Sequence, residues 1–366
     1  DYLVAHRVFS FHLNRAFSQR ERQVVEQLLA KYPAQTPVIG YFGPEPGGAP
    51  NLTNEWDIVE IISQMGKYYI FTVNGNLSFH SGYPSIRGPR REGEAPAEPV
   101  PSATAARQEP RPPSTRREPP ALDPSTVYVA FYLSDGDSPT TYYNTACRWN
   151  DAARGRVPLG WSFPVAALDV CPLVAERYYA EATPLDEFVM ACSGIGYCYP
   201  EVYGSRIEGG DSLLGGFFAE TGRGVARSAM SLVHVHHQGG TTDDTLRRFA
   251  AEIPGLRGVF ADYGRTRTDY AQSHFLAGNV PVFHCLTTGG NRDSTDEKAA
   301  DEMLAQILEV TPKERPAFVV AFGIYWFMGP DEIESVVKRL PKHYVPVLPG
   351  ELVELCRQRR RSEPPQ

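Results

Sequence analysis

The sequence predicts an α/β protein in which a smaller N-terminal α/β domain precedes a (β/α)8 barrel-like C-terminal domain. Three observations predict it. Strand and helix patterns alternate as β-α-β-α-β before residue 75. Eight strand patterns, most followed by a helical one, recur between residues 127 and 348. A segment with almost nothing to bury separates the two series. At 366 residues the chain also exceeds what one small core organises, and two domains are expected.

The first domain spans residues 1–87. Residues 8–13 read as a short apolar strand. Ser18-Gln19-Arg20-Glu21 has the form of a capping box, and Val24, Val25, Leu28 and Leu29 then recur at helical spacing. Residues 37–42 form the second strand pattern. Asn54 caps a helix with the apolar face Ile58, Ile61, Ile62 and Met65, and Gly66 ends it. Residues 68–73 are the third strand, followed by turn chemistry at Asn74-Gly75-Asn76. Strands linked through helices favour a parallel sheet.

Residues 88–124 are dominated by proline, alanine, arginine and glutamate. Such a stretch cannot offset the entropy of ordering itself and reads as a disordered linker. The second domain runs from 125 to 358, with residues 359–366 as a disordered tail. Its strands fall at 127–133, 158–163, 187–192, 228–236, 258–262, 280–285, 317–325 and 344–348. The clearest helices carry Met303, Leu304, Ile307 and Leu308, and Ile333, Val336 and Val337. Eight such units in about 230 residues suit a barrel at the small end of its range. A doubly wound open sheet is the alternative.

The formal net charge of -7 gives no basis for nucleic acid or an anionic membrane surface as partner. No apolar run reaches the roughly 20 residues of a membrane helix, so no membrane insertion is expected. The chain starts at Asp1 without a charged-then-apolar leader, as a mature protein or a fragment would. None of the six cysteines is in CxxC spacing. Cys192 and Cys198 can bridge a loop, but buried free thiols are the expected state.

In either sheet arrangement, functional side chains gather at the C-terminal strand ends. Reading those ends in order gives Ser134-Asp135-Gly136-Asp137, then Trp161 and Phe163, then the loop from Ser193 to Glu201. His234, His236 and His237 follow, then Asp262-Tyr263, His284 and Thr287, Tyr325-Trp326, and Glu351. Aromatic faces stack on sugar rings, while carboxylates bind hydroxyls and do acid–base work. Asp135 and Asp137 flank a glycine closely enough for one to raise the other's pKa, or else they form a backbone turn. Tyr197 and Tyr199 face a pocket or pack beneath their loop, and Trp161 and Trp326 are stacking platforms or core residues. Asp262 is a second carboxylate or a helix cap.

Gly194-Ile195-Gly196-Tyr197-Cys198-Tyr199-Pro200 fits the GxGYxYP signature. Ser134-Asp135-Gly136-Asp137 and Pro158-Leu159-Gly160-Trp161-Ser162 resemble segments of that family's C-terminal domain. Asn54-Glu55-Trp56 and Asn76-Leu77-Ser78 resemble segments of its N-terminal domain. The chain thus resembles the GxGYxYP family of putative glycoside hydrolases in both domains. It departs from the family pattern at Ser138, where asparagine is expected, and at Tyr325-Trp326, where a histidine is expected before the tryptophan. The resemblance implies a barrel-like C-terminal domain, a carbohydrate substrate and a secreted or periplasmic location.

The expected reaction is glycoside hydrolysis. One of Asp135 and Asp137 is the acid or base, Asp262 or Glu201 is the opposing carboxylate, and Trp161, Tyr197, Tyr199, His236, Tyr263 and Trp326 contact the sugar. No cofactor and no metal are expected. A deacetylase-like metal site using Asp135 or Asp137 with the histidines is the rival, though the HxxxH run of such enzymes is missing. A non-catalytic carbohydrate-binding protein is the third reading.

Overall fold

Val127–Ser134, YLS-ended and without a charge, is buried at every position. Burial on both faces is the mark of a parallel strand covered on each side. In the computed structural model, which describes residues 19–40, 52–71, 117, 119–134, 146–237, 239–262, 274–287, 296–324 and 327–362, this strand (β3) organises the larger domain.

The N-terminal unit contains α1 (Gln19–Leu29), β1 (Pro37–Gly40), α2 (Leu52–Gln64) and β2 (Tyr68–Phe71). Its two strands pair in parallel, from Pro37 opposite Tyr68 to Gly40 opposite Phe71. The expected strand at 8–13 lies outside the described residues.

The remaining strands are β4 (Leu159–Phe163), β5 (Asp186–Met190), β6 (Leu232–Val235), β7 (Gly258–Ala261), β8 (His274–Ala277), β9 (Val280–His284), β10 (Leu286–Thr287), β11 (Ala317–Ile324) and β12 (Tyr344–Val347). They pair in the order β10-β11-β3-β4-β5-β6-β7-β9-β8, with β12 on β3. β9 and β10 are separated in the chain only by Cys285. The first pairs with β7 and the second with β11, both in parallel, so this one stretch brings the ends of the sheet together. β12 pairs with Val127–Ala130 of β3, while β4 pairs with Tyr132 and Leu133 beyond it. The result is a nearly closed, eight-strand barrel-like sheet. The open-sheet alternative is thereby set aside. β8, an antiparallel edge hairpin on β9, is an addition that the alternation of units did not predict.

Helices α3 (Ala146–Trp149), α4 (Ala167–Val170), α5 (Pro172–Glu181), α6 (Leu213–Ser228), α7 (Asp243–Glu252), α8 (Asp296–Val310), α9 (Pro330–Arg339) and α10 (Pro349–Ser362) connect or follow the strands. Side chains alternate across β3 as the pleat requires. Tyr128, Ala130 and Tyr132 join Phe260, Phe283, Phe318, Val320 and Phe322 in the inner cluster. Val127, Val129, Phe131 and Leu133 join the outer core instead. Apart from Arg117, little of the proposed linker lies among the described residues. Its final part does pack: the Asp123 N–H donates to the Tyr128 hydroxyl at 2.7 Å, and Leu122 rests on the inner cluster. Packing against the larger domain thus includes residues just before the boundary expected at 125.

Candidate functional site

The signature segment starts where β5 ends, in an unusual backbone. Ser193 has φ 69° and Gly194 has φ 130°. A Cβ at Gly194 would come within 2.6 Å of the Thr221 hydroxyl oxygen, so this turn requires glycine on both counts. The Ser193 hydroxyl donates to the Cys198 carbonyl at 2.9 Å, and the Ser193 N–H donates to the His234 carbonyl at 2.8 Å. One serine thus ties the end of β5 both to its own loop and to β6.

The loop then runs against the N-terminal unit. Tyr69 and Tyr197 exchange two backbone hydrogen bonds, each of 2.8 Å. The Tyr199 N–H donates to Ser63 Oγ at 2.8 Å. A Cβ on Gly196 would stand 2.4 Å from the Tyr68 ring, which explains the second glycine of the signature. Tyr197 and Tyr199, both 2% exposed, belong to a cluster with Val25, Leu29, Ile58, Ile62 and Tyr69. Of the two positions open to them, they take the one beneath the loop. The signature segment is therefore a joint between domains, made by Gly196, Tyr197 and Tyr199. Cys192 and Cys198 are buried and are not joined to each other in a disulfide.

Trp161 lies in the outer core at 5% exposure. Its indole N–H donates to Asp186 at 2.8 Å, and the same carboxylate accepts from Arg154 at 2.7 Å. Its ring meets Trp149 edge-on at 5.1 Å. This is the core position, not a stacking platform on the barrel face. Glu351 is also structural, since it accepts the Leu348 N–H at 2.9 Å at the start of α10. Asp135, Asp137, Tyr263 and Trp326 lie outside the described residues.

The remaining predicted residues converge on the connection from β6 to α7. Asp262 follows β7, is buried and has φ 60°, a left-handed backbone seldom adopted by a residue with a Cβ. Its oxygens accept from the Thr241 N–H at 3.0 Å, the Thr241 hydroxyl at 2.9 Å and the His237 N–H at 3.3 Å. Glu201 takes the next residue: Oε1 accepts from the Thr242 N–H at 2.7 Å and its hydroxyl at 3.0 Å. Thr242 in turn caps α7 by accepting the Thr245 N–H. Neighbouring backbone nitrogens are under about 4 Å apart, which keeps Glu201 Oε1 and Asp262 Oδ2 within about 10 Å of each other. Thr241 and Thr242 were absent from the sequence reading. The signal that marks them is a helix N-cap, a threonine ahead of Asp243 and Asp244.

Three histidines border this connection. His234 lies inside the barrel, with ring centroids 5.3 Å from both Tyr132 and Phe322. Its Nε2 is 3.2 Å from the Asp262 carbonyl oxygen. A carbonyl can only accept, so Nε2 carries the proton. Burial pushes the His234 pKa down to about 4, against the smaller opposing effect of that bond. His236, packed 6.0 Å from Tyr199 and 6.5 Å from Tyr197, is held well below the usual range by burial and by the two neighbouring imidazoles. His237 packs closer, 4.9 Å from Tyr199 with the rings tilted. Its pKa is lowered by burial, while Glu201, Asp262 and Glu60 pull the other way. At neutral pH the inner two are thus uncharged hydrogen-bonding groups. Among the described residues, no three His, Cys, Asp or Glu side chains are grouped to hold a metal ion.

The state of His234 carries a pH dependence. Its pKa is lower folded than unfolded, so its contribution is complete above about 6.5 and is lost as pH falls toward 4. Thermal unfolding of the wild type should therefore steepen in its pH dependence over that interval. His234→Gln, which keeps an N–H donor at the same reach, should flatten the curve by about 1–3 kcal/mol. Parallel curves for the two proteins would show that His234 does not titrate on unfolding.

One perturbed carboxyl escaped the sequence reading. Burial, with help from Asp331, raises the Glu332 pKa to about 7, and Arg148 opposes this at 3.6 Å. Its Oε2 also accepts the Gly329 N–H at the start of α9, a helix-capping task.

Residues 125–357 match the family described as GxGYxYP putative glycoside hydrolase C-terminal domain. Residues 1–82 match the GxGYxYP third domain. No curated protein matches the sequence. Among solved structures, the chain is similar to a putative hydrolase from Bacteroides thetaiotaomicron, with a TM-score of 0.71 and 17% identity. The alignment covers 98% of this chain and 63% of that one, so this chain spans less than two thirds of its neighbour's length. The likeness at that identity is one of fold. The match over residues 125–357 covers most of the chain and includes the signature and the strands around it, and the protein belongs to the GxGYxYP family.

Proposed function

We propose that the protein hydrolyses a glycosidic bond at the C-terminal ends of its barrel strands. The observation that carries this reading is the placement of Asp262 and Glu201 on adjacent threonines, within about 10 Å of each other. Paired carboxylates in glycosidases stand about 5–5.5 Å apart for retention and about 6.5–9.5 Å apart for inversion, so either outcome is within reach. The family description points to the same chemistry.

In this reading Asp262 is the opposing carboxylate, acting as base or nucleophile, since three donors already converge on its oxygens. Glu201, held by the next threonine, is the carboxylate paired with it at that separation. Asp135 or Asp137, in the segment that follows the buried Ser134, is the further candidate for the acid. Tyr263 and Trp326 are the aromatic contacts for the sugar ring, and His237, at the edge of the clasped connection, is a hydroxyl-binding group. The substrate is a carbohydrate.

The test is release of reducing ends from a panel of plant, bacterial and host polysaccharides, with the anomer of the first product read by NMR. Turnover of at least one glycan is expected. A wild-type protein that binds glycans in the panel but cleaves none would sink the hydrolase reading and leave a carbohydrate-binding protein.

A further inference from the structure

The pole of the barrel opposite the carboxylates holds a concavity. It has a volume of about 310 Å³ and is lined by Leu276, Asn279, Arg357, Arg360 and Arg361. Asn279 precedes β9 and Arg257 precedes β7, which places the cavity at the N-terminal ends of the strands. The three arginines come from the last turns of α10.

Two of these guanidinium groups are fixed from behind by backbone carbonyls. Arg357 donates to the Asn279 carbonyl at 2.7 Å and to the Arg257 carbonyl at 3.0 Å. Arg360 donates to the Gly278 carbonyl at 2.9 Å. Each guanidinium has five N–H donors; Arg357 uses its Nε–Nη2 edge on the two carbonyls, so the uncommitted donors lie mainly on Arg360 and Arg361.

Among the described residues, anionic partners are scarce there. Arg257, Arg357 and Arg361 share the single carboxylate of Glu354, at 3.7, 3.9 and 3.6 Å. Among the described residues Arg360 has no carboxylate partner. Among the described residues, three of the four arginines here are paired with one carboxylate and the fourth with none, on a chain whose formal net charge is -7. Burial, and then the positive charges of Arg257 and Arg361, hold the Arg357 pKa below its ordinary value, although Glu354 and Cys356 partly offset this.

We propose that this cavity binds a tetrahedral oxyanion, a phosphate or sulfate group, through Arg357, Arg360 and Arg361. A planar fork of N–H donors matches two oxygens of such a group, and fixing the fork in advance lowers the entropy lost on binding. The oxyanion can be free or carried on a sugar. The inference does not depend on the catalytic reading.

Calorimetric titration of the full chain at low ionic strength, with inorganic phosphate, inorganic sulfate and a glucose phosphate as separate probes, tests this. Saturable binding is expected, weakened about tenfold or more in the double variant Arg360→Gln/Arg361→Gln. Both side chains are exposed at the end of a helix, and circular dichroism would check that the variant remains folded. Tighter binding of the glucose phosphate than of inorganic phosphate would mark a substituted sugar as the source, and the reverse order a free anion. Absence of saturable binding by all three probes, or unchanged affinity in the folded double variant, would overturn the proposal.

Discussion

Replacing Asp262 by asparagine should lower glycan turnover by about 100-fold or more, the usual scale of a lost acid–base or nucleophilic carboxylate. The substitution keeps the size of the side chain and one acceptor oxygen. It removes the charge and places an amide against one of the three donors that Asp262 receives from Thr241 and His237. Misplacing that donor costs about 1–3 kcal/mol of stability, so turnover must be expressed per folded molecule. Thr241→Val is the companion variant. It deletes the hydroxyl that donates to Asp262 but leaves the carboxylate and the backbone N–H bond. A catalytic Asp262 predicts a severe loss of kcat in the asparagine variant and a loss of only a few-fold in the valine one. Equal losses in both would show that Asp262 acts by holding the β6–α7 connection, and the catalytic assignment would fall.

The second large effect is expected at the signature. Tyr197→Ala should destabilise the protein by about 3–5 kcal/mol, as deletion of a buried aromatic ring usually does. Tyr197 is 2% exposed and packs edge-on against Tyr199 at 5.8 Å. Its backbone also carries both hydrogen bonds to Tyr69, which the substitution leaves in place. The lost term is therefore side-chain packing between the domains. Scanning calorimetry should show the N-terminal unit melting ahead of the barrel in the variant. Tyr197→Phe, which retains the ring, should lose no more than about 1.5 kcal/mol. A Tyr197→Ala protein that melts in one transition at the wild-type temperature would contradict the interdomain role.

Together these expectations divide the signature from the chemistry. Gly196, Tyr197 and Tyr199 of the signature dock the N-terminal unit on the barrel, while Gly194 packs within the barrel domain against Thr221. The carboxylates that suit the proposed reaction lie beside that joint, on Glu201 just after the signature and on Asp262 at the end of β7. The contact between Tyr199 and His237 links the two. A disturbance at the joint is therefore expected to reach the site through the β6–α7 connection.

Sequence by itself determined the local structure and the order of the units. The run Val127–Ser134 has no charge to place in water and can only be a strand buried on both faces. The helical spacing of Ile58, Ile61 and Ile62 specifies the buried face of α2 in the same way. The signature and the chain order of strands were equally legible, because each depends on neighbours a few residues apart. Tertiary structure alone decided the rest. Closure depends on the chain around Cys285 pairing first with β7 and then with β11, and a strand's pattern does not name its partners. By its sequence Trp161 suits a sugar face and a core equally, and the hydrogen bond from its N–H to Asp186 decides for the core. Tyr199 met Ser63 across 136 positions of sequence, and Asp262 met Thr241 across 21. Hydrogen bonds and apolar contacts of that kind act over only a few ångströms, so their partners are fixed by how the elements pack, which local periodicity does not encode.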